Sequence, residues 1–447
     1  MNNEAGTKTQ SHEEAAELVQ AAADPEKPSP RPGPAWSLPM RLGFRFAFVY
    51  LVLYSFPGPL ALIPGVSSLF GGYELLEKKL VIWTGAHVLH LSQPVQYQLT
   101  GSGDTLHDYI QNLLTIVIAV AAMLVWSALD RKRREYRYLH QWLRLYVRLV
   151  LGATLLTYGA YKVIKSQFPY PFLGRLLEPY GDSSPMGLLW TFMGYSKLYN
   201  IFTGLVEMVG GALVIVPRLA TLGALLAVGA MANVFILNMT YDVPVKLFSF
   251  NLLLMGGFLL LPEVRRLTNV LVLNRPAEPV VAPPLFQRRW LNVGILVAQL
   301  VFLVYCAGSQ LHRSYQHASD LLPRPPLYGI YAVDEFTLDG QVRPPLFNDD
   351  QRWRHVAFDL FTFDVQMPVG PMQYYRSKLD LKAGTLQLRK GQDKNWRADF
   401  TIDASTPGLI TLKGEMEGKK IQARLHKLDL NSFLLNSNGT HWVQPDR

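Results

Sequence analysis

The chain has 447 residues, 49% of them hydrophobic and 17% charged, with a formal net charge of +9. It is too long for one ordinary domain and too apolar for an average soluble protein, so a membrane class leads. The cations lie in short loops between apolar runs and not on one basic face with interleaved aromatics, which excludes nucleic acid as the expected partner. The single cysteine, Cys306, sits inside an apolar run and allows neither an intrachain disulfide nor a CxxC redox pair.

Residues 1–37 carry Glu4, Glu13, Glu14, Glu17, Asp24 and Glu26, then a proline-rich stretch from Pro28 to Pro34. This segment lacks the basic start and apolar core of a cleaved signal and reads as a disordered cytoplasmic tail. Seven segments then reach or approach the roughly 20 apolar residues that cross the hydrocarbon. The first, 46–66, is interrupted by Pro57, Pro59 and Pro64; the others are 113–129, 145–161, 198–216, 219–239, 245–261 and 291–307. Without the proline-broken span, six remain. The expected organisation is a membrane hairpin with an outer loop over 38–144, a four-helix membrane unit over 145–275, and a linker with the last span over 276–320.

Loop charge sets the expected orientation. Arg131, Lys132, Arg133, Arg134, Arg137 and Arg144 lie between the second and third spans; Arg218 follows the fourth; Arg265, Arg266, Arg275, Arg288 and Arg289 lie between the sixth and seventh. These loops read as cytoplasmic, which places the chain in a bacterial inner membrane as a multi-pass protein with its N-terminus inside and its C-terminal domain outside. Two outer loops are long. The first, 67–112, contains a candidate surface helix at 73–91 and the turn Gly101-Ser-Gly-Asp-Thr105; the second, 162–197, holds Pro169, Pro171, Pro179 and Pro185.

From residue 321 to 447 the period changes to two. Trp396, Ala398, Phe400 and Ile402 alternate with polar residues, as do Leu386 and Leu388, and Ile421, Ala423 and Leu425. Turn signals at Leu338-Asp-Gly340, Lys382-Ala-Gly384 and Glu417-Gly-Lys419 separate them, so a soluble all-β domain, a small barrel or sandwich, is expected outside the membrane.

Ionisable residues at membrane depth are the informative ones, because such groups are costly there and face a bundle interior or a wet cavity. Glu207 lies about nine residues into its span, roughly 13 Å below the outer end. Lys162, at the outer end of the preceding span, is its partner by depth, and Gly204, Gly210 and Gly211 permit close helix approach. The pair either lines a ligand or proton site or fixes helix register. Arg148 and Asn233 complete a candidate intramembrane polar site. Asp242, Lys246, Asn238 and Asn251 form a candidate outer mouth; Asp242 and Lys246 share a face if the helix begins near Val243 with Pro244 in its first turn. The competing account of that cluster is a capped, salt-bridged turn.

No histidine lies centrally in a span, so a haem held by facing histidines is not expected. His87 and His90 with Asp104, His107 and Asp108 are explained better as interfacial histidines and a loop than as a metal site. The β domain carries no GxSxG, HExxH, P-loop or dinucleotide fingerprint.

The segment 145–262 resembles the DoxX-like membrane family. Arg148 and Gly152 early in one span, Gly159 and Lys162 near its end, and Gly204, Glu207, Gly210 and Gly211 in the next carry the resemblance. Gln167-Phe-Pro169, Ser184-Pro-Met-Gly-Leu-Leu-Trp-Thr-Phe-Met-Gly194 and Tyr241-Asp-Val-Pro-Val-Lys246 are similar to an uncharacterised bacterial subgroup with the same C-terminal extension. The resemblance implies a four-helix membrane core; some relatives are associated with quinone-linked sulfur oxidation, others with redox-stress complexes. No cofactor is evident from the residues themselves, and a quinone is the one the resemblance admits. Three functions stay open: an accessory or binding protein with an outward-facing polar cavity, acting with the lipid bilayer and a membrane or periplasmic protein partner; a subunit of a quinone-linked oxidoreductase; and a small-solute transporter.

Overall fold

The computed structural model describes residues 35–443 apart from 64, 98–101, 279–283, 392, 394 and 440. The expected tail therefore lies outside the described residues as far as residue 34, as do Pro64 and Gly101.

Among the described residues six helices are long and apolar enough to cross a membrane, and the chain is a membrane protein. The first, α1 (Leu38–Ser55), starts well before residue 46, because the Ser37 side chain accepts a hydrogen bond from the Met40 amide at 3.4 Å and Pro39 suits a first turn. It stops before Pro57 and passes into a short 3-10 turn ending at Leu62. Then come α2 (Gly71–His87) and α3 (Leu106–Leu129). The apolar side chains Leu75, Leu76, Leu80 and Trp83 of α2 stay exposed.

The third expected span is α4 (Arg137–Val163), which carries Arg144, Arg148 and Lys162 and is not among the six. It nevertheless stands at the heart of the bundle, with Leu143, Val147, Leu151, Leu155 and Leu156 all buried. A helix walled in by protein need not be apolar all round, since neighbouring helices and not lipid meet its polar groups. After two short helices, α5 (Leu173–Leu177) and α6 (Pro185–Tyr195), come α7 (Lys197–Ile215), α8 (Ala220–Thr240), α9 (Lys246–Leu260), α10 (Val264–Leu271) and α11 (Arg289–Gln316). With α4, helices α7, α8 and α9 make the expected four-helix unit.

The cationic loops gather at one end of the bundle. There Arg144 and Arg266 hold the buried Glu263 carboxylate at 3.5 and 2.7 Å. At the same end the buried Arg45 of α1 donates to Ser127 Oγ at 2.7 Å and to the Asp130 carbonyl at 2.9 Å.

The other end carries the β domain. Its strands are β1 (Gly329–Leu338), β2 (Gln341–Val342), β3 (His355–Phe358), β4 (Thr362–Gln366), β5 (Gln373–Asp380), β6 (Thr385–Lys390), β7 (Arg397–Asp403), β8 (Leu409–Met416) and β9 (Lys419–Lys427). Neighbours pair antiparallel in chain order from β3 to β9, and β1 closes the ring by pairing with both β3 and β9; β2 only extends one end of β1. Of the two expected architectures, the domain is the barrel, with eight strands in the ring. Closure follows from a long β1 bent by a bulge between Val333 and Glu335, which lets one strand serve two partners. The alternating residues point inward, and Phe336, Trp353, Phe363 and Phe400 fill the interior. Its hairpins turn where the turn signals stand: Asp339 and Gly340 take φ of 49° and 83°, Glu417 and Gly418 of 53° and 77°.

A short α12 (Leu434–Ser437) follows the barrel. The barrel is docked on the loop between α4 and α7. Leu173 and Leu177 of α5 pack on Ile330 and Ala357, and Gln366 Nε2 donates to the Leu177 carbonyl at 2.6 Å. Lys165 pairs with Asp320 at 3.0 Å, and the Tyr170 and Tyr195 hydroxyls reach the Asn436 side chain and the Asn438 carbonyl, each at 2.8 Å.

Candidate functional site

The site begins with how closely α4 and α7 approach. They run antiparallel, and their glycines face each other in two pairs, Gly152 with Gly211 and Gly159 with Gly204. A methyl group on Gly159 would lie 2.6 Å from the Gly204 carbonyl oxygen, and one on Gly204 would lie 2.7 Å from that of Gly159. The backbones are as near as glycine allows. Lys162 follows Gly159 and Glu207 follows Gly204 by three residues along these antiparallel helices, so their side chains reach toward each other past the second pair: Lys162 Nζ donates to Glu207 Oε1, with the two residues 7% and 3% exposed. Glu207 Oε2 is buried and has no hydrogen-bond partner among the described residues.

Both residues line a cavity of about 330 Å³ inside the four-helix unit. Its wall is aromatic and aliphatic, with Tyr158 of α4 and Phe248 of α9 on one side and Tyr199 and Phe202 of α7 on the other. Phe168 and the α6 residues Leu189, Trp190 and Met193 also line it. Polar side chains are few: the Lys162–Glu207 pair, Gln167, whose Oε1 is likewise buried and without a partner among the described residues, Asn233, Asn238, which donates to Ser249 Oγ at 3.0 Å, and Thr154 and Thr203, whose hydroxyls bond carbonyls of their own helices. An apolar chamber with a small number of converging polar groups is the usual character of a small-molecule site.

Two further cavities share its wall. One of about 390 Å³ is lined by Asp104, Asp108, Asn112 and Tyr54, the other, of about 270 Å³, by Tyr54, Pro59 and Met255. Tyr158 and Phe248, with ring centres 5.8 Å apart, border all three.

The other sequence candidates divide. Asn233 lines the cavity with Lys162 and Glu207, but Arg148 does not. Its guanidinium donates to the Val214 carbonyl at 2.8 Å, to the Ile215 carbonyl, and to Gln299 Oε1 at 2.9 Å. It satisfies the last carbonyls of α7, where the helix dipole favours a cation. Asp242 and Lys246 do pair, at 2.8 Å, on the surface. The helix, however, begins at Lys246 and Pro244 precedes it, because Asp104 from the loop between α2 and α3 accepts from the Lys246 and Leu247 amides at 2.6 and 3.0 Å and so fixes the helix start there. Asn251 is not at a mouth: it is buried, with its Oδ1 2.5 Å from the Tyr50 hydroxyl. Among the described residues no three His, Cys, Asp or Glu side chains gather as metal ligands would.

Sequence reasoning passed over Tyr158, Gln167, Trp190 and Phe248 as site residues. Gln167 and Trp190 stand in strings that carried the family resemblance, which was the available signal. Tyr158 and Phe248 look in sequence like other aromatic residues of apolar helices.

The barrel touches this site at one remove, since the loop it grips supplies Gln167, Phe168 and α6 to the cavity. At that contact Asp364, 1% exposed, faces Gly174 of α5, and its Oδ1 has no partner among the described residues. Asp359 beside it accepts from the Leu173 amide at 2.6 Å. Burial holds the Asp364 carboxyl up at about 7 and raises Asp359 as well, each opposed in part by backbone amides. A carboxyl whose docked value is raised favours docking while it is protonated, at low pH, and that contribution is lost as pH rises from the ordinary carboxylate range through about 7. At about 1.4 kcal/mol per pH unit the loss is of the order of 4 kcal/mol. Hydrogen exchange at the Leu173 and Gly174 amides should therefore be faster, relative to the intrinsic rate, at pH 8 than at pH 5. Asp364→Asn should flatten that difference.

No family model matches the chain, and no solved structure matches it. It is 30% identical over 125 residues to the uncharacterized protein YwoB of Bacillus subtilis (strain 168), a stretch covering 28% of this chain and 78% of YwoB. By that extent of likeness the chain belongs to the same protein family as YwoB.

Proposed function

We propose that the chain is a membrane-embedded binding protein of the bacterial inner membrane, in which a DoxX-like four-helix unit holds a small amphipathic molecule against the Lys162–Glu207 pair. The observation that carries this reading is the unpartnered Glu207 Oε2 in the wall of a largely apolar cavity. A buried acceptor left without a donor costs about 1–3 kcal/mol, more for a charged group, and a bound molecule that donates to it removes that cost. The basic end of the bundle supports a cytoplasmic placement for that end and an extracytoplasmic one for the barrel. The barrel's grip on the loop over the cavity suits an accessory role, in which a membrane or periplasmic partner engages the barrel.

A second reading makes the chain a subunit of a quinone-linked oxidoreductase. The aromatic walls and the proton-bearing pair favour it, since a carboxyl or ammonium beside a quinone oxygen can supply a proton. Purification from native membranes followed by native mass spectrometry and extraction distinguishes the two. A redox-inert amphiphile bound one to one is the expected result, co-purifying quinone moves the assignment to the second reading, and a consistently empty cavity overturns both.

A further inference from the structure

The cavity has a direction of entry. Its outer side is covered by Phe168, Leu189 and Met193, all buried. Only four of its lining residues are exposed: Tyr199 and Phe202 of α7, and Gly229 and Asn233 of α8. Phe202 is 59% exposed. The inner halves of α7 and α8 are packed closely, with Gly210 against Leu226 and Ala227, so the gap between the two helices lies in their middle and outer parts. Gly229 and Asn233 belong to a helix apolar and long enough to span the bilayer. Asn233 therefore presents an amide at membrane depth, at the rim of the cavity, where an unpaired polar group is expensive.

From this geometry we infer that the cavity opens sideways into the lipid between α7 and α8, and that its ligand is a neutral, membrane-dissolved molecule with a hydroxyl head. The inference rests on the binding-protein reading and adds the source and chemistry of the ligand. The hydroxyl of the head donates its one proton to Glu207 Oε2. A cationic head is disfavoured, because the Lys162 ammonium already neutralises the same carboxylate and would repel a second cation in a site shielded from water. An anionic head would be repelled by the unpartnered carboxylate oxygen of Glu207 itself. The apolar tail lies along Phe202 and Val206 and leaves through the gap past Gly229.

The test uses the full chain in lipid nanodiscs and a photoreactive probe, hexadecanol carrying a diazirine in its chain, beside the methyl ether of the same probe. Labelling of the cavity-lining peptides of α7 and α8 by the alcohol, competed by unlabelled hexadecanol, is expected. The ether should label them about tenfold less, the loss of one hydrogen bond to a charged acceptor. A methyl group at Gly229 would meet nothing within 4 Å, so a side chain can leave the backbone there freely, and Gly229→Leu is the variant that closes the gap. It should abolish cavity labelling while thermal stability and the background labelling of α11 stay unchanged. Asn233→Leu provides a second closure at the same rim.

Equal labelling by ether and alcohol would overturn the hydroxyl head. Undiminished labelling in both closure variants would overturn the lateral route. If instead a short water-soluble diol binds and hexadecanol does not compete, the ligand comes from water and the inference fails while the binding-protein reading survives. If no probe labels the cavity and no molecule co-purifies, both fail together.

Discussion

Lys162→Met should destabilise the protein in detergent or bicelles by about 3–5 kcal/mol, the usual consequence of leaving one member of a buried ion pair without its partner. Glu207 is 3% exposed and its second oxygen already lacks a donor, so removal of the Lys162 ammonium leaves the carboxyl without any side-chain partner. Adding Glu207→Leu to Lys162→Met should recover most of the loss and can exceed the wild type, since desolvating two charges costs more than their attraction returns in many buried pairs. A double-mutant cycle read by reversible unfolding measures the coupling. Additive single effects with no recovery in the double variant would show that the pair is not a unit. A double variant that folds well yet no longer retains the co-purifying molecule would assign the pair to binding.

Gly159→Val is expected to be the more damaging change and to have no rescue at neighbouring positions. The added Cβ would fall 2.5 Å from Met208 Cγ and 2.6 Å from the Gly204 carbonyl oxygen. Met208 can move, but the carbonyl belongs to the backbone of the partner helix, so α4 and α7 must separate. Overpacking of this kind costs typically about 1–3 kcal/mol and occasionally more, and separation also carries Lys162 away from Glu207. Gly229→Ala is the control: it has the same chemistry in a neighbouring helix, with nothing within 4 Å of the new methyl. The expected order in a thermal unfolding series is wild type and Gly229→Ala together, then Gly159→Ala, then Gly159→Val. A Gly159→Val protein as stable as the wild type would contradict the close helix approach.

Much of the helical part was legible because its signal is local. A run of apolar residues near 20 long satisfies its backbone in lipid as a helix, and three of the six apolar helices, α7, α8 and α9, have both ends within a residue of their expected runs, while α3 starts seven residues early and α11 continues nine residues further. α1 extends toward the N-terminus because the Ser37 cap and Pro39, not hydropathy, decide where it starts. α9 starts at Lys246 and not near Val243, because Asp104, from a loop far earlier in the chain, supplies the acceptor at its first amides. The pairing of Lys162 with Glu207 was legible from depth alone. The true position of Arg148 was not, since the carbonyls it satisfies appear only when α7 ends beside α4.

The sequence by itself determined the division into membrane helices and a two-period β domain, the turn positions within that domain, and the one carboxylate at membrane depth with the cation able to reach it. Each of these depends on spacing along one chain segment. Only the tertiary structure decided that the strands close into a barrel, that the barrel holds the loop covering the bundle, and that the wall around Glu207 opens between α7 and α8. Those features join segments far apart in the sequence: Phe168, Trp190, Phe202, Asn233 and Phe248 come from five different elements, and nothing in the neighbourhood of any one of them specifies the other four.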